Sequence, residues 1–176
     1  MSGVYPMYRN VLRAFILIAA SFALFTHAQP PVPTTKADRI IVVKSTHTMT
    51  LYADGKVLKV YHVSLGSGAT GNAKQKQGDH ETPEGNYTIN GRNAHSSCHL
   101  ALHISYPNPA DRERARKLGV DPGGDIMIHG LPPGYEWIKP GQQLADWTYG
   151  CIALTNAEMD EVWKLVPNGT PIEIRH

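Results

Sequence analysis

From Arg39 to Ile174 the sequence is a succession of short β-forming runs cut by glycine, proline and aspartate, with no regular alternation of strand and helix. That punctuation argues against a parallel α/β sheet and for a mainly β fold, a sandwich or a partly closed barrel with a few short helices. Arg39 to Lys44 and Thr48 to Tyr52 are rich in β-formers, Ala53-Asp54-Gly55 reads as a hairpin turn, and Lys56 to Leu65 returns, which makes an antiparallel opening. Gly66 to Gly85 is polar and glycine-dotted without apolar periodicity; a loop of that length in a small domain is usually functional. It ends in the turn Thr82-Pro83-Glu84-Gly85 before a short strand, Asn86 to Asn90. A strand from Cys98 to Tyr106, a charged helix Ala110 to Leu118 stopped at Gly119, and a short strand Asp125 to Ile128 follow. After a Pro- and Gly-rich loop, Thr155-Asn156-Ala157-Glu158 is a capping box for a helix to about Val166. Met159, Val162, Trp163 and Val166 share its inner face, and Pro167-Asn168-Gly169 turns the chain into a last strand, Thr170 to Ile174.

The chain of 176 residues, 41% apolar and 18% charged, suits one globular domain. Arg9 and Arg13 precede an apolar run from Ala14 to Phe25 and then Thr26-His27-Ala28, the layout of a secretory signal cleaved after Ala28. The apolar run falls short of the roughly 20 residues that span a bilayer, so no permanent membrane span is expected after cleavage. No cysteine lies near residue 28, so no lipid-modified terminus is expected either. The division is therefore a signal at 1–28, a Pro- and Thr-rich linker at 29–38 and a domain at 39–176, placed in the periplasm or cell envelope. A net charge of +2 with no basic run gives no case for a nucleic-acid partner.

Export bears on the two cysteines, because an oxidising compartment invites a Cys98–Cys151 bridge. Yet Cys98, Leu100, Leu102 and Ile104 alternate with His99, Ala101 and His103, which reads Cys98 as a small hydrophobe on a core face. Cys151 is left free for chemistry. It follows Gly150 in a tight turn, Thr148-Tyr149-Gly150-Cys151, and the apolar segment Ile126-Met127-Ile128 ends on His129-Gly130. A thiol is mostly protonated at neutral pH and needs a base to become a nucleophile, a role His129 fits. A backbone carbonyl at Gly130 would hold the second ring nitrogen, and the N–H groups of Gly150 and Cys151 would face a developing oxyanion. The pattern Gly66-x-Gly68-x-x-Gly71 is no dinucleotide fingerprint, since no helix with an apolar face follows it. His95, His99 and His103 are too widely spaced on a strand to share one ion, so no metal and no cofactor is expected, although His99 is a candidate to line the cleft.

These residues resemble the L,D-transpeptidase catalytic domain family of bacterial cell-wall enzymes, the YkuD type, over most of the chain from Arg39 to Ile174. The resemblance rests on Lys74 and Gly78-Asp79 followed by Thr82 to Tyr87, on Ile104-Ser105-Tyr106-Pro107-Asn108, on Ile128-His129-Gly130, and on Thr148-Tyr149-Gly150-Cys151-Ile152. It implies a β-rich fold whose cysteine attacks the carbonyl of a diaminopimelate residue in a peptidoglycan stem peptide, forms a thioester and passes the acyl group to an amine. Carried over, Cys151 is the nucleophile, His129 the general base and the backbone around Gly130 its orienter; beside the resemblance, Gly150 is the candidate oxyanion donor, and Thr148, Tyr149 and His99 are candidates to line the substrate cleft. Tyr149 stands where the family usually has histidine and Ala153 where it usually has arginine. Relatives with a small residue at the second position look like hydrolases that release a cell-wall-linked lipoprotein from peptidoglycan, so amidase or peptidase activity is the alternative expectation. A binding module that has lost turnover is another.

Overall fold

Asp54 and Gly55 both take positive φ, 51° and 72°, and so close the first hairpin with the twist that two strands require. The structure is a computed structural model that describes residues 35–68, 72–139 and 145–176. The expected export signal, linker residues 29–34 and Ala69 to Gly71 lie outside the described residues. The hairpin joins β2 (Thr48–Ala53) to β3 (Lys56–His62), and β2 pairs antiparallel with β1 (Arg39–Val43). Alternation puts Ile40, Val42, Met49 and Leu51 inward, each fully buried. The domain begins slightly before the expected boundary: Ala37 is buried and its N–H donates to Leu165 O at 2.8 Å.

One strand is much longer than its sequence suggests. β4 runs Gly85–Ser96 rather than Asn86 to Asn90, because its exposed second half is held by backbone pairing with β5 (His99–Ile104) and carries no apolar signal. Cys98 lies in the β4–β5 turn and is half-buried rather than on a core face of a strand; the alternation that buries Leu102 and Ile104 starts one turn later. The charged helix α1 (Pro109–Leu118) starts on an Asn108–Asp111 capping box and stops at Gly119 in the left-handed region. The strand expected at Asp125 to Ile128 is β6 (Met127–His129), and a two-residue strand, β7 (Ile152–Ala153), was not evident in the sequence. α2 (Asn156–Leu165) carries the expected Thr155–Glu158 capping box, and Met159, Val162 and Val166 are buried. Trp163 is only partly buried: the Arg92 guanidinium lies 3.8 Å over its ring and donates to the Trp163 and Val166 carbonyls at the helix end.

Strand order is β3-β2-β1-β8-β4-β5-β6-β7, with β8 at Pro171–Arg175. Two of its pairings are parallel, β1 with β8 and β6 with β7, although the chain shows no βα alternation. Bridges from Ser64 to Ala153 and from Gly66 to Thr148 tie the segment after β3 to β7, at the opposite end of the order. The sheet therefore curls into a partly closed barrel, and the closure is what brings the Cys151 turn against the Gly66 and Thr82 segments.

Candidate active site

β5, β6 and β7 form the floor. Ala101 pairs with His129 and His129 with Ala153, so these three side chains stand in one row on one face. Their neighbours Leu102, Ile128 and Ile152 point the other way and are fully buried, each contributing about 2 kcal/mol of apolar burial. Two residues along on the open face, His103 pairs with Met127, and the same register sets Met127 beside Cys151. His129 and Cys151 are thus diagonal neighbours on adjacent strands, a Cβ spacing of about 7 Å that an imidazole can bridge.

The His129 Nδ1–H donates to Gly130 O at 2.6 Å, leaving Nε2 for a substrate or thiol proton. The ring is buried, and burial holds its pKa below the ordinary value of 6.5 against the opposing pull of the Gly130 carbonyl. Trp147 packs edge-on to it with centroids 5.7 Å apart. Gly130 admits no side chain: a Cβ there would lie 2.6 Å from Asn156 Oδ1 and 2.9 Å from His99 Cβ. Asn156 Oδ1 in turn accepts the Leu131 N–H at 2.7 Å, so α2 fixes the backbone whose carbonyl holds the imidazole.

Cys151 is a free, half-buried thiol, and so is Cys98. Its Sγ–H donates to Asp125 O at 3.6 Å. Burial pushes the thiol pKa above its ordinary value, and Cys98 and Asp125 add to this, while the Met127 N–H works the other way. Both shifts favour a neutral thiol beside a neutral imidazole over a thiolate–imidazolium pair. The turn is set by Thr148, whose Oγ1 accepts the Gly150 N–H at 3.1 Å and donates to Cys151 O at 2.7 Å. Gly150 has φ 120°, and a Cβ would fall 2.6 Å from Glu81 O, so glycine is required there.

Two expectations are altered by these contacts. The Gly150 N–H is engaged inside the turn by Thr148 Oγ1, so it does not point into the cleft as an oxyanion donor. Thr148, 4% exposed, is a positioning residue rather than part of a substrate surface. Tyr149 is 76% exposed, with its ring 4.5 Å from that of His80. His99 lies beside Gly130, but its Nε2 meets Asp160 Oδ1 of α2 at 2.8 Å. Lys74 and Asp79 form a clamp: buried Lys74 meets Asp79 at 2.7 Å, and Asp79 also accepts the Gln75, Lys76 and Glu81 N–H groups. Sequence reading missed Asp125, His103 and Trp147, and also a cavity of about 280 Å³ lined by Leu131, Pro132, Tyr135, Ile138, Ala145 and Trp147. Of these only His103 carried a signal, as one of the histidines spaced four apart, and that spacing was weighed for a metal alone. Among the described residues no group of His, Cys, Asp and Glu could hold a metal ion.

The family model for the YkuD-type L,D-transpeptidase catalytic domain matches residues 37–174. The chain belongs to the L,D-transpeptidase catalytic domain family. It is similar to the "Putative L,D-transpeptidase YafK" of Escherichia coli (strain K12), 30% identical over 133 residues, 72% of this chain and 46% of that protein. The chain thus spans about half the length of the curated relatives it matches. Among solved structures it resembles the helical cell shape determining protein Pgp2 of Campylobacter jejuni, with TM-score 0.59 at 23% identity over 80% of this chain and 48% of that one. Bd1075 of Bdellovibrio bacteriovorus follows at TM-score 0.56 and 22% identity, over 82% and 49%. An L,D-transpeptidase from Xylanimonas cellulosilytica gives TM-score 0.52 at 18% identity, over 83% and 64%. These likenesses establish the L,D-transpeptidase fold, a mainly β one with a curled sheet and two helices.

Proposed function

We propose that this L,D-transpeptidase domain is an exported cysteine acyltransferase that acts on peptidoglycan stem peptides in the cell envelope. The observation that carries the reading is the diagonal placement of Cys151 and His129 on neighbouring segments of one face, with His129 Nδ1 held by the Gly130 carbonyl. In this reading Sγ attacks the carbonyl of a diaminopimelate residue as its proton passes to His129 Nε2. The tetrahedral intermediate collapses, the terminal residue leaves as an amine carrying that proton, and a thioester remains on Cys151. The Cys151 N–H is the candidate donor to the oxyanion, since that of Gly150 is engaged. An amine on a second stem then attacks the thioester, with His129 taking its proton, and the thiol is restored.

Hydrolysis is the second reading, and Ala153 favours it. A buried alanine stands in the His129 row, so no guanidinium is available there to seat a carboxylate of stem or acceptor. Water would then relieve the enzyme of its acyl group, shortening stems or releasing a lipoprotein attached to diaminopimelate. Likeness to a cell-shape protein supports placing either activity in wall remodelling. Incubation of the mature protein with disaccharide tetrapeptides, read by mass spectrometry, separates the outcomes. Crosslinked dimers are expected from transfer and shortened stems alone from hydrolysis. Cys151→Ala should abolish both while leaving the fold intact, since losing a half-buried sulfur opens little cavity; retained turnover would remove Cys151 from the mechanism.

A further inference from the structure

Gly66 and Gly68, the first two glycines of the pattern that fits no dinucleotide site, make room for a buried carboxylate. A Cβ on Gly68 would lie 2.7 Å from Glu81 Oε1, and one on Gly66 would strike His80 O. Glu81 is 6% exposed, yet among the described residues no hydrogen bond reaches its carboxylate. A buried carboxylate without donors bears the cost of its lost hydration. Burial accordingly lifts its pKa above the ordinary 4.5, with Lys44 the foremost influence in the other direction. Glu81 and Lys44 line one cavity of about 210 Å³ without pairing, and the Lys44 ammonium donates instead to Asn72 O at 2.5 Å and Glu84 Oε1 at 2.9 Å. That leaves it a third N–H. Thr82, on the same wall, accepts the Gly66 N–H at 2.9 Å through Oγ1 and keeps its own proton to donate. Asp146 also lines the cavity but is engaged, by the Leu65 N–H at 2.8 Å and by His47 Nε2 at 3.0 Å.

We propose that this cavity binds a small free α-amino acid, whose ammonium donates to Glu81 and whose carboxylate accepts from Lys44 and Thr82. An acceptor without donors and two donors without an acceptor, set around one space, are complementary to a zwitterion. A simple cation would leave the donors unmet, and an anion would face Glu81. The volume is far more than one water needs. A metal ion is disfavoured by the Lys44 ammonium on the wall. The site is distinct from the thiol cleft, since neither Cys151 nor His129 lines it. It backs onto the thiol turn instead: a Cβ on Gly66 would lie 3.0 Å from Gly150 Cα, and one on Gly150 2.6 Å from Glu81 O. The assignment is independent of the acyl-transfer reading of Cys151.

Amide NMR titration of the purified protein tests it, with alanine as the probe beside alaninol, which lacks the carboxylate, and N-acetylalanine, which lacks the ammonium. Alanine is expected to give saturable shifts at the Gly66, Gly68 and Glu81 amides, and each analogue to bind about 10-fold more weakly. Glu81→Gln, which keeps the shape and removes the charge, should weaken alanine by a similar factor. The two analogues decide the question on the unaltered chain even where that variant fails to fold. No saturable shift at tens of millimolar alanine, an analogue that binds as well as alanine, undiminished binding to folded Glu81→Gln, or shifts confined to Met127, His129 and Cys151 overturns the assignment.

Discussion

Gly130→Ala tests whether α2 and the β5 hairpin set the base. The added Cβ would lie 2.6 Å from Asn156 Oδ1, 2.9 Å from His99 Cβ and 3.1 Å from Cys98 O, all below or at the edge of real contacts. Asn156 cannot yield freely, because the same oxygen accepts the Leu131 N–H at 2.7 Å. Overpacking of this kind costs about 1–3 kcal/mol, and loss of the Asn156 bond adds about 1 kcal/mol. A domain of this size should then lose about 5–15 °C in Tm. The carbonyl that holds His129 Nδ1 at 2.6 Å moves with the backbone, so kcat/KM should fall by about 10- to 100-fold even below the new Tm. Thermal melts and the tetrapeptide assay read the two effects, with Gly124→Ala as control, since a Cβ there meets nothing within 4 Å. A Gly130→Ala protein with unchanged Tm and unchanged kcat/KM would refute the packing argument.

The pH response follows from two shifts. Burial lowers the His129 pKa, so the neutral base survives below the ordinary 6.5, and kcat/KM should hold down to that region and drop only at lower pH. Burial raises the Cys151 pKa above 9.0, so iodoacetamide labelling should climb through alkaline pH; a labelling rate already flat near pH 7 would show a preformed thiolate and contradict the neutral pair. Burial pushes the Asp79 pKa up, but the Lys74 bond and three backbone N–H groups outweigh it and bring it from 3.8 down to about 2. Its folded pKa is the lower one, so its stabilisation of about 2 kcal/mol is complete above pH 3.8 and lost as pH falls toward 2. Urea melts of Asp79→Asn should show at least that loss at pH 7 and convergence with the wild type near pH 2; parallel pH curves would discount the clamp.

Sequence reading succeeded where the signal is local. The Asp54-Gly55 turn, the Thr155–Glu158 capping box and the stop at Gly119 are each decided by a few adjacent residues, and each stands as read. It failed where pairing supplied the order. The exposed half of β4 and the two residues of β7 have no apolar pattern, and Cys98 was drawn into a strand that begins after it. In the site, Gly150 and Thr148 were legible as parts of a turn, but their hydrogen bond to each other was not, and that bond reassigns both.

Taken alone, the sequence determined the family, the mainly β class and the residue types able to make a thiol nucleophile with a base. These depend on motifs and on periodicities of adjacent positions. Only the tertiary structure decided what surrounds the thiol. The parallel register of β6 and β7 sets His129 and Cys151 diagonally on one face, and burial there shifts both groups toward their neutral forms. His103 comes within 3.7 Å of Asp125, just ahead of β6, because β5 pairs with β6 there, and pairing across strands is a non-local property that spacing along the chain does not encode.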